Sequence, residues 1–405
     1  MARTKTIKEG ISLSSRADRM PYSPIRKLSI FADEAKKKGI KVYHLNIGQP
    51  DIETPIEIFE NIANYREKVL GYGPSGGILE LRLAVLDYYR NLGFDLDLDN
   101  IWITIGGSEA IIFAMMTVCD PNDEIIVFEP YYTNYNGFAV MSNIKLVAIE
   151  TKIENGFHLP PESEIKKKIT SKTKAILINT PNNPTGTVLT EEEMFILQRL
   201  CKKYNLYLLS DEVYREFIYD GKQHISALSL PEIEDRVILM DSISKRFSAC
   251  GARVGCIISR NKKIMDALIR FCQARLCPPT LEQIGAIAAY KHIDKYITPM
   301  IKEYEHRRNV LFDCLKEIPK VYGHKPEGAF YTVLSLPVKD ADHFCQWLLT
   351  DFSYEKSTVM LAPANGFYST LKKGKDQIRI AYVLKEEDIR SAVRVLDIAL
   401  KKYKG

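Results

Sequence analysis

The chain has little of what builds metal centres or disulfide frameworks. Among its 405 residues are eight cysteines and seven histidines. No two cysteines stand as C-x-x-C, and the closest spacings are Cys250 to Cys256 and Cys272 to Cys277. H-E-x-x-H and Cys/His clusters at zinc spacing are also missing, so the expectation is no bound metal and a reducing, cytoplasmic setting. An excess of one charge is absent too: 56 Lys and Arg against 51 Asp and Glu leave a formal +5, with both signs interleaved. That balance argues against a nucleic-acid partner. The longest nearly uninterrupted apolar run, Ala110 to Cys119, stops at Asp120-Pro121 and falls short of the roughly 20 residues that span a bilayer, so no membrane partner is expected. Met1 to Arg16 is basic and polar, without the apolar core of an export signal. Repeats and low-complexity tracts, the marks of solenoids and linker-joined arrays, do not occur.

What is present is ample apolar content, 46% of residues, enough for the cores of two or three domains. Between about residues 100 and 260, short β-branched runs alternate with stretches of helical length. The runs are Ile101 to Ile105, Glu124 to Phe128, Ala175 to Ile178, Leu206 to Leu209, Val237 to Met240 and Val254 to Ile258. Helices are expected at Ala110 to Val118, ending before Pro121, and at Glu191 to Tyr204, following a Thr190 cap. This alternation predicts an α/β fold with a largely parallel sheet covered on both faces. The last hundred residues predict a smaller α+β domain: a charged helix around Pro299 to Ile318, strands at Gly328 to Leu336 and Gln377 to Val383, and a closing helix, Glu386 to Tyr403. The expected division is an N-terminal segment 1–48 packed on the small domain, a large domain 49–298 and a small domain 299–405.

Polar and aromatic residues follow each apolar run, at the strand ends where open α/β sheets bind ligands. Gly71-Tyr72-Gly73-Pro74-Ser75-Gly76 satisfies the dinucleotide pattern G-x-G-x-x-G. Arg66-Glu67-Lys68 in place of a preceding strand, and a proline inside the loop, argue against that reading and leave a surface turn. Lys245 is more informative. Taken alone it reads as a solvated charge, but Ser242, Ser244 and Arg253 around it describe a pocket for a phosphate beside an amine able to form a Schiff base. Gly106-Gly107-Ser108-Glu109 opens a helix whose free N–H groups suit the same anion, although such turns also occur without ligands. Asp211 at a strand end needs a cationic partner, either a salt bridge or a protonated ring nitrogen. Asn183, Tyr132 and Tyr214 offer an amide, a flat ring face and a phenol, each with an ordinary packing alternative.

In this combination the sequence resembles the class I/II aminotransferases of the aspartate aminotransferase superfamily, which have the pyridoxal-phosphate fold type I. The resemblance runs through Asn46-Ile47-Gly48-Gln49-Pro50-Asp51, Tyr72 with Leu81-Arg82, Gly107-Ser108-Glu109 and Pro130-Tyr131-Tyr132. It continues through Asn183-Pro184-Thr185-Gly186, Asp211-Glu212-Val213-Tyr214, the block Ser242 to Gly255, and Arg379. It implies that the cofactor is pyridoxal 5'-phosphate, held on Lys245, which then shuttles a proton. It implies that Asp211 keeps the ring nitrogen protonated, that Asn183 and Tyr214 hydrogen-bond the ring oxygen, and that Tyr132 stacks on the ring. Gly107, Ser108, Glu109, Ser242 and Arg253 are implied to hold the phosphate, with Tyr72 reaching it from a second subunit of a homodimer with shared active sites. Arg379, with Gly48 and Asn183, is implied to grip the substrate carboxylate.

The family's activity implies ping-pong transfer between an amino acid and a 2-oxo acid, small-molecule partners whose best reading is aspartate or glutamate with 2-oxoglutarate. Tyr132 replaces the tryptophan of better-known aspartate enzymes, and Asn182 replaces a histidine found in some relatives. The arginine that reads a distal carboxylate has no secure counterpart, with Arg275 in the right general region. Rivals are a lyase, of the β-C–S or cyclopropane-forming type, on the same cofactor, and a non-catalytic cofactor-binding regulator. The regulator needs an added DNA-binding domain, for which only about 45 residues before Gly48 are available.

Overall fold

The structure, a computed structural model, describes residues 12–405. Most of the basic Met1 to Arg16 stretch, and the start of the 1–48 segment, lie outside the described residues. Twelve strands follow in chain order: β1 Lys41–His44, β2 Ile101–Ile105, β3 Glu124–Glu129, β4 Lys145–Glu150, β5 Thr173–Asn179, β6 Tyr207–Asp211, β7 Val237–Ser242, β8 Val254–Ile258, β9 Tyr331–Ser335, β10 Ser357–Met360, β11 Ala362–Pro363 and β12 Gln377–Ala381. Seven form one sheet in the order β2-β8-β7-β6-β5-β3-β4, in which β8 runs antiparallel to both neighbours and the other pairs are parallel.

The continuous apolar runs follow from burial on both faces. Alternate residues of β5 enter separate cores, Ile176 and Ile178 on one side and Ala175 and Leu177 on the other. All of β7 and β8 are buried. The Glu191–Tyr204 helix starts on a reciprocal Thr190–Glu193 capping box and stops at Asn205, whose φ of 56° is left-handed. The sheet is thus the mostly parallel, helix-covered sheet expected of fold type I.

The remaining strands form a smaller α+β unit. Strands β11, β12 and β9 make an antiparallel sheet, and β1 pairs in parallel with β10. A separate core unites Leu28, Ala32 and Val42 with Met300, Leu311, Val359 and Leu396. The charged helix runs Ile293–Leu315, six residues earlier at its start than expected, with Pro299 inside it. The helix continues through the proline because Ile297, Met300 and Ile301 pack as one face against that core; the proline forfeits one main-chain bond. Among the described residues no helix is long and apolar enough to cross a membrane, and no group of three or more His, Cys, Asp or Glu is placed to hold a metal ion.

Candidate active site

A cavity of about 620 Å³ opens at the carboxyl ends of β5, β6 and β7 and is bounded on its other side by Ile47, Gly48, Tyr331 and Arg379. The strand ends deliver its polar groups. Asp211 closes β6 and is fully buried; removal from water pushes its carboxyl up to about 7. The Tyr135 phenol donates to its Oδ2 at 2.7 Å and opposes that rise. Asn179, closing β5, donates to the Asp211 carbonyl at 2.9 Å and accepts the Asn183 N–H at 2.7 Å, so one side chain fixes both neighbours.

Arg379, on β12, reaches the cavity from the other side. Its guanidinium is 1% exposed, donates to Asn183 Oδ1 at 3.0 Å and to the Asn46 carbonyl, and leaves Nε without a partner. The rings of Tyr331 and Phe367 lie 4.6 and 4.9 Å away. No carboxylate lies within 4 Å of it among the described residues, and burial lowers its pKa. A buried cation held by amides and rings alone is incomplete without an anion.

Lys245 stands in the short Ile243–Arg246 helix that follows β7. Its Nζ donates to the Gly48 carbonyl at 2.9 Å and to Cys250 Sγ at 3.5 Å. At the far end, the Gly106–Val118 helix starts on Gly106, whose φ is +70°. A Cβ there would overlap the Arg253 guanidinium, so glycine is what lets the cation sit over the helix start. Gly107, Ser108, Ser242, Ser244 and Arg253 line this end. Ser242 Oγ and Ser244 Oγ are 2.7 Å apart. Backbone N–H groups, hydroxyls and a guanidinium form a phosphate-type donor set.

Of the residues singled out in the sequence, the cavity brings together Gly48, Gly107, Ser108, Tyr132, Asn183, Asp211, Tyr214, Ser242, Lys245, Arg253 and Arg379. Tyr132 Oη accepts from Asn134 at 2.7 Å, and Tyr214 shares a 2.9 Å hydrogen bond with Tyr331. Three others lie elsewhere. The Glu109 carboxylate turns away, accepting the Ile105 N–H at 2.8 Å and pairing with Arg275 Nε at 3.2 Å. Arg275, so held and bonded also to the Ile103 carbonyl at 3.2 Å, does not line the cavity. Tyr72 is 85% exposed on the surface of the chain. Sequence reasoning missed Tyr135, Asn179, Tyr331 and Cys250. Asn179, the first polar residue after the Ala175 to Ile178 run, Tyr135, three residues past Tyr132, and Cys250, inside the lysine block, carried some signal; Tyr331 carried none.

A lysine amine, a buried carboxylate lacking a cation and an anion cradle, arranged at the strand ends of this sheet, define a pyridoxal-phosphate enzyme of fold type I. The cofactor fits: Asp211 lacks the cation a protonated ring nitrogen supplies, and the glycine-floored cradle has the chemistry of a phosphate site. The family model for aminotransferase class I and II matches residues 40–396, and the chain belongs to that family. It is 30% identical to an aspartate aminotransferase of Bacillus subtilis over 404 residues, covering 97% of this chain and all of the relative. An aromatic-amino-acid aminotransferase 2 of Thermococcus litoralis is 33% identical over 403 residues, with the same coverage. Among solved structures, an alanine aminotransferase from Pyrococcus furiosus superposes with a TM-score of 0.88 at 31% identity, covering 97% of this chain and all of that one. The protein is therefore a pyridoxal-phosphate-dependent aminotransferase.

Proposed function

We propose that the substrates of this aminotransferase are aspartate or glutamate with 2-oxoglutarate, aspartate passing its amino group to 2-oxoglutarate and glutamate returning it in the reverse direction of a ping-pong cycle centred on Lys245. The observation that carries the reading is the fully buried Arg379, a cation without an anion, facing the same cavity as the Lys245 amine. Pyridoxal phosphate, when bound, supplies an aldehyde for the amino group and a ring that draws off electrons from Cα.

The chain does the rest. Arg379 takes the α-carboxylate through its guanidinium, with Asn183 fixing that group's plane and the Gly48 backbone beside it. Lys245 Nζ would hold the cofactor through its amine and, once freed by the incoming amino acid, would serve as the base that takes the Cα proton and the acid that gives it back. With the cofactor bound, Asp211 would stabilise positive charge on the ring nitrogen, Tyr214 and Asn183 would hydrogen-bond the ring oxygen, Tyr132 would stack on the ring, and Gly107, Ser108, Ser242 and Arg253 would hold the phosphate, with Glu109 serving through its backbone. The unit 299–405 and the segment 1–48 close over the large domain 49–298 to exclude water. Exposed Val69, Leu70 and Tyr72 support a homodimer in which Tyr72 completes the partner's phosphate site. Eight free cysteines support a cytoplasmic setting.

The test is a panel of amino acids mixed with holoenzyme while the cofactor's visible absorption is followed. Aspartate and glutamate should convert it fastest, and 2-oxoglutarate should restore it. Conversion by aromatic or branched amino acids alone would refute the substrate assignment, and pyruvate released from cystathionine without an acceptor would favour a lyase.

A further inference from the structure

Four cations line the cavity: Arg26, Lys245, Arg253 and Arg379. Lys245 belongs to the amine chemistry, Arg253 to the phosphate cradle and Arg379 to the α-carboxylate. Arg275, the sequence candidate for a distal carboxylate, is neutralised by Glu109 away from the cavity. Arg26 is left over. Its side chain makes no hydrogen bond among the described residues, and no described carboxylate lies within 4 Å, whereas its neighbour Lys27 is paired with Asp342.

The backbone carrying this cation is fixed. Pro24 packs so closely on Gly366 that a Cβ there would overlap it. Leu28 is buried in the small-domain core. The Arg26 N–H donates to the Ser23 carbonyl at 3.2 Å, and its own carbonyl accepts from Ser29 at 3.0 Å, where the Ser29–Lys37 helix starts. Asn46 ties the turn to the carboxylate site. Its side chain donates to the Ile25 carbonyl at 3.3 Å, while its own carbonyl accepts from Arg379. The buried Arg379 guanidinium and the turn that carries the exposed Arg26 guanidinium are therefore joined through a single asparagine at one side of the same cavity. A ligand satisfying both carries two anionic groups.

We propose that Arg26 reads the side-chain carboxylate of the substrate, making it the residue that separates acidic from neutral amino acids. The inference rests on the dicarboxylate reading given above. A planar fork on a fixed turn suits bidentate recognition of a carboxylate, and an exposed cation raises no burial cost while neutral substrates are bound.

The experiment compares holoenzyme carrying Arg26→Gln or Arg26→Lys with the parent. Succinate, which has both carboxylates but no amine, is titrated by calorimetry, and single-turnover conversion is measured with aspartate, glutamate and alanine. Arg26→Gln is expected to weaken succinate and lower kcat/KM for the two acidic substrates roughly 100-fold, the size of a hydrogen bond to a charged group. Alanine should change less than about threefold, because it offers that guanidinium nothing to hold. Arg26→Lys is expected to recover part of the loss for acidic substrates, keeping the charge and losing the fork. Equal losses for aspartate and alanine, or unchanged succinate binding, would overturn the assignment while leaving the dicarboxylate reading intact. A parent enzyme that converts neutral amino acids and ignores acidic ones would instead sink that reading, and this one with it.

Discussion

Replacing Tyr135 by Phe removes the 2.7 Å phenol–carboxylate hydrogen bond to Asp211 and leaves the ring in place. Burial lifts the Asp211 carboxyl to about 7, and the Tyr135 bond restrains that rise by favouring the charged form. A hydrogen bond to a charged group contributes about 1.5–3 kcal/mol, so its loss raises the carboxyl by a further 1–2 pH units, roughly. The sign follows from linkage. With its native pKa above the unfolded one, Asp211 favours folding at low pH, and that contribution is lost as pH rises from about 4 through about 7. In the variant the loss continues to higher pH. At pH 5 both proteins keep the proton and the carboxyl contributes equally to each. At pH 9 the variant is less stable by about 1.5–3 kcal/mol beyond any packing change common to both conditions. Thermal unfolding of the cofactor-free proteins at the two pH values measures the difference. A gap between parent and variant that is the same at pH 5 and pH 9 would refute the claim that Tyr135 acts on a titrating carboxylate.

Lys245→Ala should fold, bind the cofactor without a covalent link and lose transamination; ordinary turnover, or borohydride trapping the cofactor on another residue, would contradict its role. Gly106→Ala should weaken pyridoxal-phosphate binding at least tenfold, because a left-handed alanine costs about 1–2 kcal/mol and its Cβ also displaces Arg253; fluorescence titration reads this, and unchanged affinity would argue against the cradle. Arg246→Met should destabilise the fold by about 3–5 kcal/mol, since it leaves Asp241 buried without its cation and takes from Glu216 the nearer of its two guanidiniums, Arg215 remaining at 3.8 Å; an unfolding midpoint at the parent's value would show that the network is dispensable.

Strands shielded on both faces are the part of the fold most plainly written in the sequence. Ile101–Ile105 and Val254–Ile258 coincide with the expected runs, and the Glu191–Tyr204 helix begins and ends where its cap and turn residues put it. Lys145–Glu150 is not among the expected runs although Leu146-Val147-Ala148-Ile149 is apolar throughout; it is an edge strand in which Ile149 alone is fully buried. The pairing of Lys41–His44 with Ser357–Met360 joins segments more than 300 residues apart, and local periodicity holds no information about it. The site divides in the same way. Lys245, Asp211 and the glycine turn are legible because short motifs surround them. Glu109 and Arg275 are 166 positions apart, and either looked available for ligand until the fold paired them. Tyr331 and Asn179 act through hydrogen bonds to Tyr214 and to Asp211 and Asn183, partners that only the folded chain brings to them.

Arg246 and Arg379 show how the molecule separates charges that hold the fold from charges that await a ligand. Both are fully buried, at 0% and 1% exposure, and both lie against aromatic rings. Arg246 is answered within the chain, with Asp241 at 2.6 Å, Glu216 at 3.1 Å and the Tyr290 hydroxyl at 3.1 Å. Arg379 has amide and carbonyl oxygens and, among the described residues, no carboxylate within 4 Å. Desolvating a guanidinium costs several kcal/mol unless a counter-charge is supplied, so the two environments cannot serve the same purpose. The first spends its cation on fixing the turn that carries Lys245. The second is left short of one negative charge inside a cavity wide enough for a small acid, and Asp211 nearby is left short of one positive charge. On the proposed reading, an amino acid carboxylate and a protonated pyridine ring would supply those two missing charges with the correct signs, and one cavity would both hold the cofactor and orient the substrate beside it.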